Sequence, residues 1–316
     1  MKKAITPVIS LVMLLLITVG LVGITYTFIQ TSLTTQTNSF RIVYAQGNTI
    51  QIINDGTKPI NSFLTFTIDG NSVNYRVIPK ESSLIAYWSM DEGSGPMIDS
   101  SGSGNNVNLG LSDTWMAAKF GNGVNFGNDG WTPISLSSSQ TVETISMWIK
   151  TTANAGTNIC FSNGDTNQIN ICGFQYNAWY SGAQHTINAP GTYNDGNWHF
   201  VALTQDASGA KVYVDSSPVV SDASINFVMG SLGAGDFNGG CGHGCSQFIG
   251  TITEDDVRVY NRVLSADEIA AERDIGHQIK PQEAAIIKIY TPLSTGAHAL
   301  NICTQYACQA ELFGFK

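Results

Sequence analysis

Thr144-Ile145-Ser146-Met147-Trp148-Ile149-Lys150 places Ile145, Met147 and Ile149 on one side of the chain and Thr144, Ser146 and Trp148 on the other. Successive side chains of an extended chain point to opposite faces, so this period of two predicts a strand with one face in a core and the other outside. Lys211-Val212-Tyr213-Val214-Asp215 repeats the pattern, Val212 and Val214 alternating with Tyr213. Half-buried strands of this kind belong to antiparallel sheets. One helix stands out between residues 83 and 276. Ser265-Ala266-Asp267-Glu268 reads as a capping box: the serine oxygen accepts from the N–H three residues on and Glu268 reaches back, both acids being favoured by the positive helix end. Ile269 to Asp274 then forms a short helix expected to lie over the strands.

Outward from these strands runs an ordered series of segments. Ile85-Ala86-Tyr87-Trp88-Ser89-Met90-Asp91-Glu92-Gly93-Ser94-Gly95 is followed by Asp99-Ser100-Ser101-Gly102-Ser103-Gly104-Asn105 and by Ala118-Lys119-Phe120-Gly121-Asn122-Gly123-Val124-Asn125-Phe126. After Thr144–Lys150 come Asn197-Trp198-His199-Phe200-Val201-Ala202-Leu203-Thr204, Lys211–Asp215 and Gly250–Ile269 (GTITEDDVRVYNRVLSADEI). In order and spacing this series resembles the laminin-G-like, concanavalin A-like jellyroll domain along nearly all of residues 84–275. The resemblance implies two antiparallel sheets of about a dozen strands packed face to face.

Short strands flank this region on both sides. Thr49-Ile50-Gln51-Ile52-Ile53, Asn61 to Ile68 and Val73 to Ile78 read as strands, separated by Asn54-Asp55-Gly56 and Asp69-Gly70-Asn71 turns. Ile78-Pro79-Lys80-Glu81 ends this run, and the similar Ile279-Lys280-Pro281-Gln282-Glu283 opens another, with strands at Ala284–Tyr290 and Ala297–Cys303. Each run is too short to bury a face alone. Residues 38–82 plus 277–316 are therefore predicted to form one small immunoglobulin-like β-sandwich, interrupted by the jellyroll at 83–276. The fold class is mainly β.

The N-terminal segment, 1–37, reads differently. After Lys2 and Lys3 no charged residue occurs from Ala4 to Phe40, and Ile5 to Ile29 (ITPVISLVMLLLITVGLVGITYTFI) is apolar all round. That length exceeds the roughly 20 residues a helix needs to cross a bilayer, and the two lysines place the N-terminus inside and the bulk of the chain outside. Lys3-Ala4 before Ile5-Thr6-Pro7-Val8-Ile9 resembles the N-terminus of archaeal type IV pilin-like proteins. The resemblance implies cleavage between Ala4 and Ile5 by a prepilin peptidase, leaving the helix as a membrane anchor or in a filament core with other pilus-like subunits. Pro7 suits the first turn of such a helix, where backbone N–H groups have no intrahelical partner. Bacterial type IV pilins carry a glutamate where this chain has Ile9, so their assembly logic does not transfer.

Composition bounds the function. Of 316 residues only 12% are charged, against about 25% in typical soluble domains, and 24 acidic against 15 basic residues give a net charge of −9. Such a balance excludes nucleic acid as the main partner. Catalysis is not expected either. Glucanases of this fold use a Glu-x-Asp-x-x-Glu strand to flank the glycosidic bond with two carboxylates. Here Glu254-Asp255-Asp256 is followed by Val259 where the second catalytic carboxylate would stand.

The chemistry expected instead is that of binding. A structural Ca2+ is expected from oxygen ligands at Asp91, Asp99, Asn105 and Asp256, since domains resembling this one often hold calcium near the junction of first and last strands. Sugars stack on aromatic faces while amides satisfy their hydroxyls, which singles out Tyr176, Trp179, Tyr180 and Tyr193 among Gln175, Asn177, Gln184 and Asn194. The six cysteines predict disulfides in an exported chain, and spacing alone recommends Cys160 with Cys172, Cys241 with Cys245 and Cys303 with Cys308. Cys241-Gly242-His243-Gly244-Cys245 is also compatible with a soft metal, although a fourth ligand is missing. Two functions remain: a pilin-like surface adhesin whose jellyroll binds glycans or a cell-surface protein, or a non-binding surface or filament subunit, with a singly anchored membrane protein as a variant distinguished by processing.

Overall fold

The computed structural model describes residues 39–127, 132–153, 159–163, 167–172, 174–227, 232–237 and 252–315. The apolar stretch Ile5–Ile29 and the processing residues Lys3, Ala4 and Ile5 lie outside the described residues. Among those described, no helix is long and apolar enough to cross a membrane.

In chain order the strands are β1 (Phe40–Gln46), β2 (Thr49–Asn54), β3 (Thr65–Ile68), β4 (Asn71–Ser72) and β5 (Tyr75–Ile78). Then come β6 (Leu84–Trp88), β7 (Thr114–Ala117), β8 (Asn122–Phe126), β9 (Thr132–Gln140), β10 (Thr144–Thr151), β11 (Ile159–Ser162) and β12 (Asn167–Cys172). They continue with β13 (Gln175–Tyr180), β14 (Ala183–Asn188), β15 (Trp198–Asp206), β16 (Gly209–Val214), β17 (Ser217–Asp222), β18 (Leu232–Phe237) and β19 (Ile252–Tyr260). The helix α1 (Ala266–Ile275) precedes β20 (Ala284–Ile289), β21 (Gly296–Cys303) and β22 (Cys308–Phe315).

Strands β1–β5 and β20–β22 form one hydrogen-bonded path, β4-β3-β21-β22-β1-β2-β20-β5. Its halves meet at β1, which runs antiparallel to β2 but touches β22 in parallel only at Gln46 and Gly314. Phe66, Ile68, Leu300 and Ile302 from one half share a buried core with Ile50, Ile52, Val77 and Ile287 from the other, so the path folds over itself. Two strands are shorter than expected. The chain at Asn61–Leu64 crosses between the halves, from the Ile60–Ile279 bridge to the β3–β21 pairing. Asn74 gives its N–H to Thr291 Oγ1 at 2.7 Å, so β5 starts at Tyr75.

The remaining strands form two sheets. Order β17-β16-β15-β10-β19-β8-β7, with β6 also on β19, makes an eight-stranded sheet, and β14-β13-β12-β11-β18-β9 makes a six-stranded one. Ile145, Met147 and Ile149 of β10 face Ile169, Ile171 and Tyr176 of the six-stranded sheet in one core, as the alternation predicts. The other faces of β10 and β16 depart from it. Trp148, Ser146 and Tyr213 are buried, because Tyr87, Phe200, Tyr260, Leu264 and Ile269 cover that side as a second apolar cluster. Expected to be half-buried, the centre of this sheet is buried on both faces.

Helix α1 does much of the covering. Ser265 and Glu268 form the capping box, and Gly276 closes the other end at φ 99°, its N–H donating to the carbonyls of Ala271 and Glu272. A Cβ at Gly276 would lie 2.7 Å from the Val77 carbonyl oxygen, so glycine permits both the positive φ and the approach of the helix to β5. Ala271 and Ile275 pack into the flanking core while Ile269 packs against the eight-stranded sheet.

Charges tie the two units together. β19 pairs Ser146 with Arg258 but Trp148 with Asp255, a bulge in which Asp256 takes φ 59°. Bulges re-aim side chains. The Asp256 carboxylate meets Arg258 Nη2 at 2.6 Å and Arg76 Nε at 2.7 Å, Arg76 coming from β5. All three side chains are buried. Burial alone would raise the Asp256 pKa, yet the Arg258 and Arg76 guanidinium groups hold it below the usual carboxylate range. Beside it, burial and the Asp256 charge push Asp255 well up. Lys288 of β20 reaches Asp91 at 3.1 Å, and Arg262 and Lys280 both reach Glu81.

Candidate functional site

The six-stranded sheet carries a different outer face. In β12 to β14, Ile169, Ile171, Tyr176, Ala178 and Ile187 point into the core, so residues of opposite parity point away from it. Cross-strand pairing then aligns Gln168, Trp179 and Gln184 in one row, Asn170, Asn177 and Thr186 in the next, and Gln175 with Asn188 in a third. Asn177 is the hub. Its amide donates to Gln175 Oε1 at 2.9 Å, while its Oδ1 accepts from Gln184 Nε2 at 3.1 Å and from the Thr186 hydroxyl. Gln175 in turn donates to Asn188. Gln168, Asn170 and Asn177 are buried, whereas Gln184, Thr186 and Asn188 on the edge strand are exposed and Trp179 is half-buried. The three strands contain no Asp, Glu, Lys or Arg.

Such a face has a definite capability. Amides both donate and accept, matching the dual character of a sugar hydroxyl, and a fixed network keeps each amide in one orientation. Trp179 supplies an apolar plate beside them. Without ionised groups on the three strands, the face offers hydrogen bonds suited to neutral hydroxyl-rich molecules.

The four aromatic residues proposed from the sequence separate. Trp179 stands on the amide face. Tyr176 is a correction: it is 1% exposed, because its parity places it in the core, where burial pushes its phenol far up. Tyr180 shares that parity and stacks on Phe227 with centroids 4.2 Å apart. Tyr193 packs against Phe174 and His199 and gives its hydroxyl to the Pro190 carbonyl at 2.9 Å. Sequence reading missed Gln168, Asn170, Thr186 and Asn188; the alternation in Gln168-Ile169-Asn170-Ile171 and in Thr186-Ile187-Asn188 carries the signal.

The calcium ligand set does not assemble among the described residues. Asp99 spends its carboxylate on the N–H groups of Tyr87, Ser101 and Asn105. Asn105 donates to the Ile85 carbonyl and accepts from Ser137 N. Asp256 is held by the two arginines and Asp91 by Lys288. Among the described residues, no three His, Cys, Asp or Glu side chains are grouped to hold a metal. In this structure Asp99 and Asn105 close a turn, and Asp91 and Asp256 close the junction.

Cys303 and Cys308 are disulfide-bonded across the β21–β22 turn. Cys160 is also disulfide-bonded; Cys241, Cys245 and the side chain of Cys172 lie outside the described residues.

Residues 125–270 match the Laminin_G_3 family, described as the Concanavalin A-like lectin/glucanases superfamily. Over these residues the central region resembles a concanavalin A-like jellyroll. Among solved structures, the chain is similar to the binding domain of botulinum neurotoxin serotype G, with 18% identity and a TM-score of 0.47, over 60% of this chain and 50% of that one. It is likewise similar to domain 4 of AbnA, an extracellular arabinanase of Geobacillus stearothermophilus solved with arabinotriose, with 19% identity and a TM-score of 0.47, over 60% of this chain and 98% of that domain. The chain spans about half the length of the neurotoxin binding domain. No curated protein matches it.

Proposed function

We propose that this protein is a surface glycan-binding protein in which the jellyroll face built on β12–β14 takes neutral oligosaccharides. The observation that carries this reading is the hydrogen-bonded amide ladder through Asn177, bordered by Trp179 and free of ionised side chains. Binding and not catalysis is proposed, since Glu254, Asp255 and Asp256 are buried at the opposite sheet, away from the face that offers sugar-recognising groups. Strands 40–78 and 284–315 would act as an immunoglobulin-like platform that displays the jellyroll. The apolar segment Ile5–Ile29 supports anchoring at the cell surface or assembly with pilus-like subunits after prepilin peptidase cleavage.

A glycan array probed with the full chain tests the binding reading. Signal above background on neutral glycans is expected, and uniform background across the array would contradict it. N-terminal sequencing of the mature protein tests the processing: a start at Ile5 is expected, and an intact Met1 would contradict it.

A further inference from the structure

A cavity remote in the fold from the amide face opens where the two units and α1 meet. Its volume is about 340 Å³, and it is lined by Asn74, Lys119, Phe120, Trp148, Arg273 and Asp274. That size lies at the lower end of small-ligand sites, enough for one sugar ring and not for an oligomer.

Its lining combines features that a merely structural crevice does not need. The Lys119 ammonium rests over the Trp148 ring at 4.2 Å, yet among the described residues no carboxylate lies within ion-pairing distance of it. Burial and the neighbouring Arg76 charge lower its pKa against the weaker pull of Asp215 and Asp255. Trp148 is only 6% exposed, and its indole N–H has no hydrogen-bond partner among the described residues, although buried indole N–H groups usually find one. Arg273 is fixed by Asp274 at 2.7 Å and by the Asp215 carbonyl at 2.6 Å. Lys119 and Arg273 together favour one carboxylate. Asp274, ion-paired with Arg273, offsets one of the two positive charges and leaves an excess suited to a single carboxylate, and Asn74 offers an amide from the other unit.

We propose that this cavity binds a monosaccharide bearing a single carboxylate, the hexuronate class, with the carboxylate on Lys119 and Arg273, the ring beside Phe120 and a hydroxyl on the Trp148 indole N–H. This goes beyond the amide-face reading and does not depend on it. The two sites differ in charge, one selecting neutral and the other acidic sugars.

Isothermal titration of the full chain with sodium glucuronate and with glucose, at low ionic strength, tests the proposal. Glucuronate is expected to bind at least about tenfold tighter than glucose, the effect of one charge-assisted contact. Lys119→Gln is expected to reduce glucuronate affinity by about the same factor with an unchanged melting temperature. Asn74→Ala, on the other unit, should weaken it by a smaller factor, and Gln184→Ala on the amide face should leave it unchanged. Equal affinity for the two sugars, absence of heat with glucuronate, or parental affinity in both the Lys119 and Asn74 variants would overturn the assignment. Failure of the glycan array on neutral sugars would not touch it.

Discussion

The two sheets of the jellyroll start from the same period-two alternation and use their outer faces in opposite ways. The outer face of the eight-stranded sheet is covered by α1 and by the flanking strands, so it can hold Arg76, Asp256 and Arg258 out of water in mutual contact. The outer face of β12–β14 carries amides without ions, and its edge strand stays exposed. Alternation therefore says that a strand has two faces. What occupies the second face decides whether it holds the protein together or meets a ligand.

The largest effect is expected at the covered face. Asp256→Asn removes the carboxylate that buried Arg76 and Arg258 both contact, which costs about 3–5 kcal/mol of unfolding free energy; chemical denaturation measures it. A variant as stable as the parent would show that the charges do not hold the junction.

A pH effect of similar origin should follow. Burial lowers the pKa of His277, between α1 and β20, from 6.5 to about 4. The folded state thus favours neutral imidazole, so its contribution is complete above pH 6.5 and is lost as pH falls towards 4. Integrated over that range the loss is about 3 kcal/mol. His277→Gln should show a correspondingly flatter fall in stability between pH 7 and 4, and parallel curves would refute the assignment.

Removing the cap is a smaller perturbation of the same face. Ser265→Ala should cost about 1 kcal/mol, through loss of the Glu268 N–H acceptor. At the open face, Gln184→Ala should change stability by less than about 0.5 kcal/mol, as exposed positions do. A large loss there would mean that the amide ladder is structural.

Much of this contrast was legible in the sequence and some was not. The capping box of Ser265 and Glu268 and the inward set of Ile145, Met147 and Ile149 follow from local rules, because they depend on neighbours three residues apart or on parity alone. Trp148 and Tyr213 were expected outside and are buried, since parity gives a side and not its covering, and α1 arrives from far along the chain. Asp256 read as a metal ligand because its partner Arg76 lies 180 residues away and its direction depends on a bulge. Tyr176, Tyr180 and Trp179 were grouped by proximity in sequence. Parity within β13, once its pairing is known, separates Trp179 from the other two.

The central claim is that the open face, and not the covered one, recognises neutral glycan. Its most direct test is equilibrium binding of an array-positive neutral glycan to the parent and to a Trp179→Ala/Gln184→Ala variant, with thermal melts to confirm folding. A loss of affinity of about tenfold or more is predicted, from removal of one stacking plate and one amide. Parental affinity in the folded double variant would contradict it.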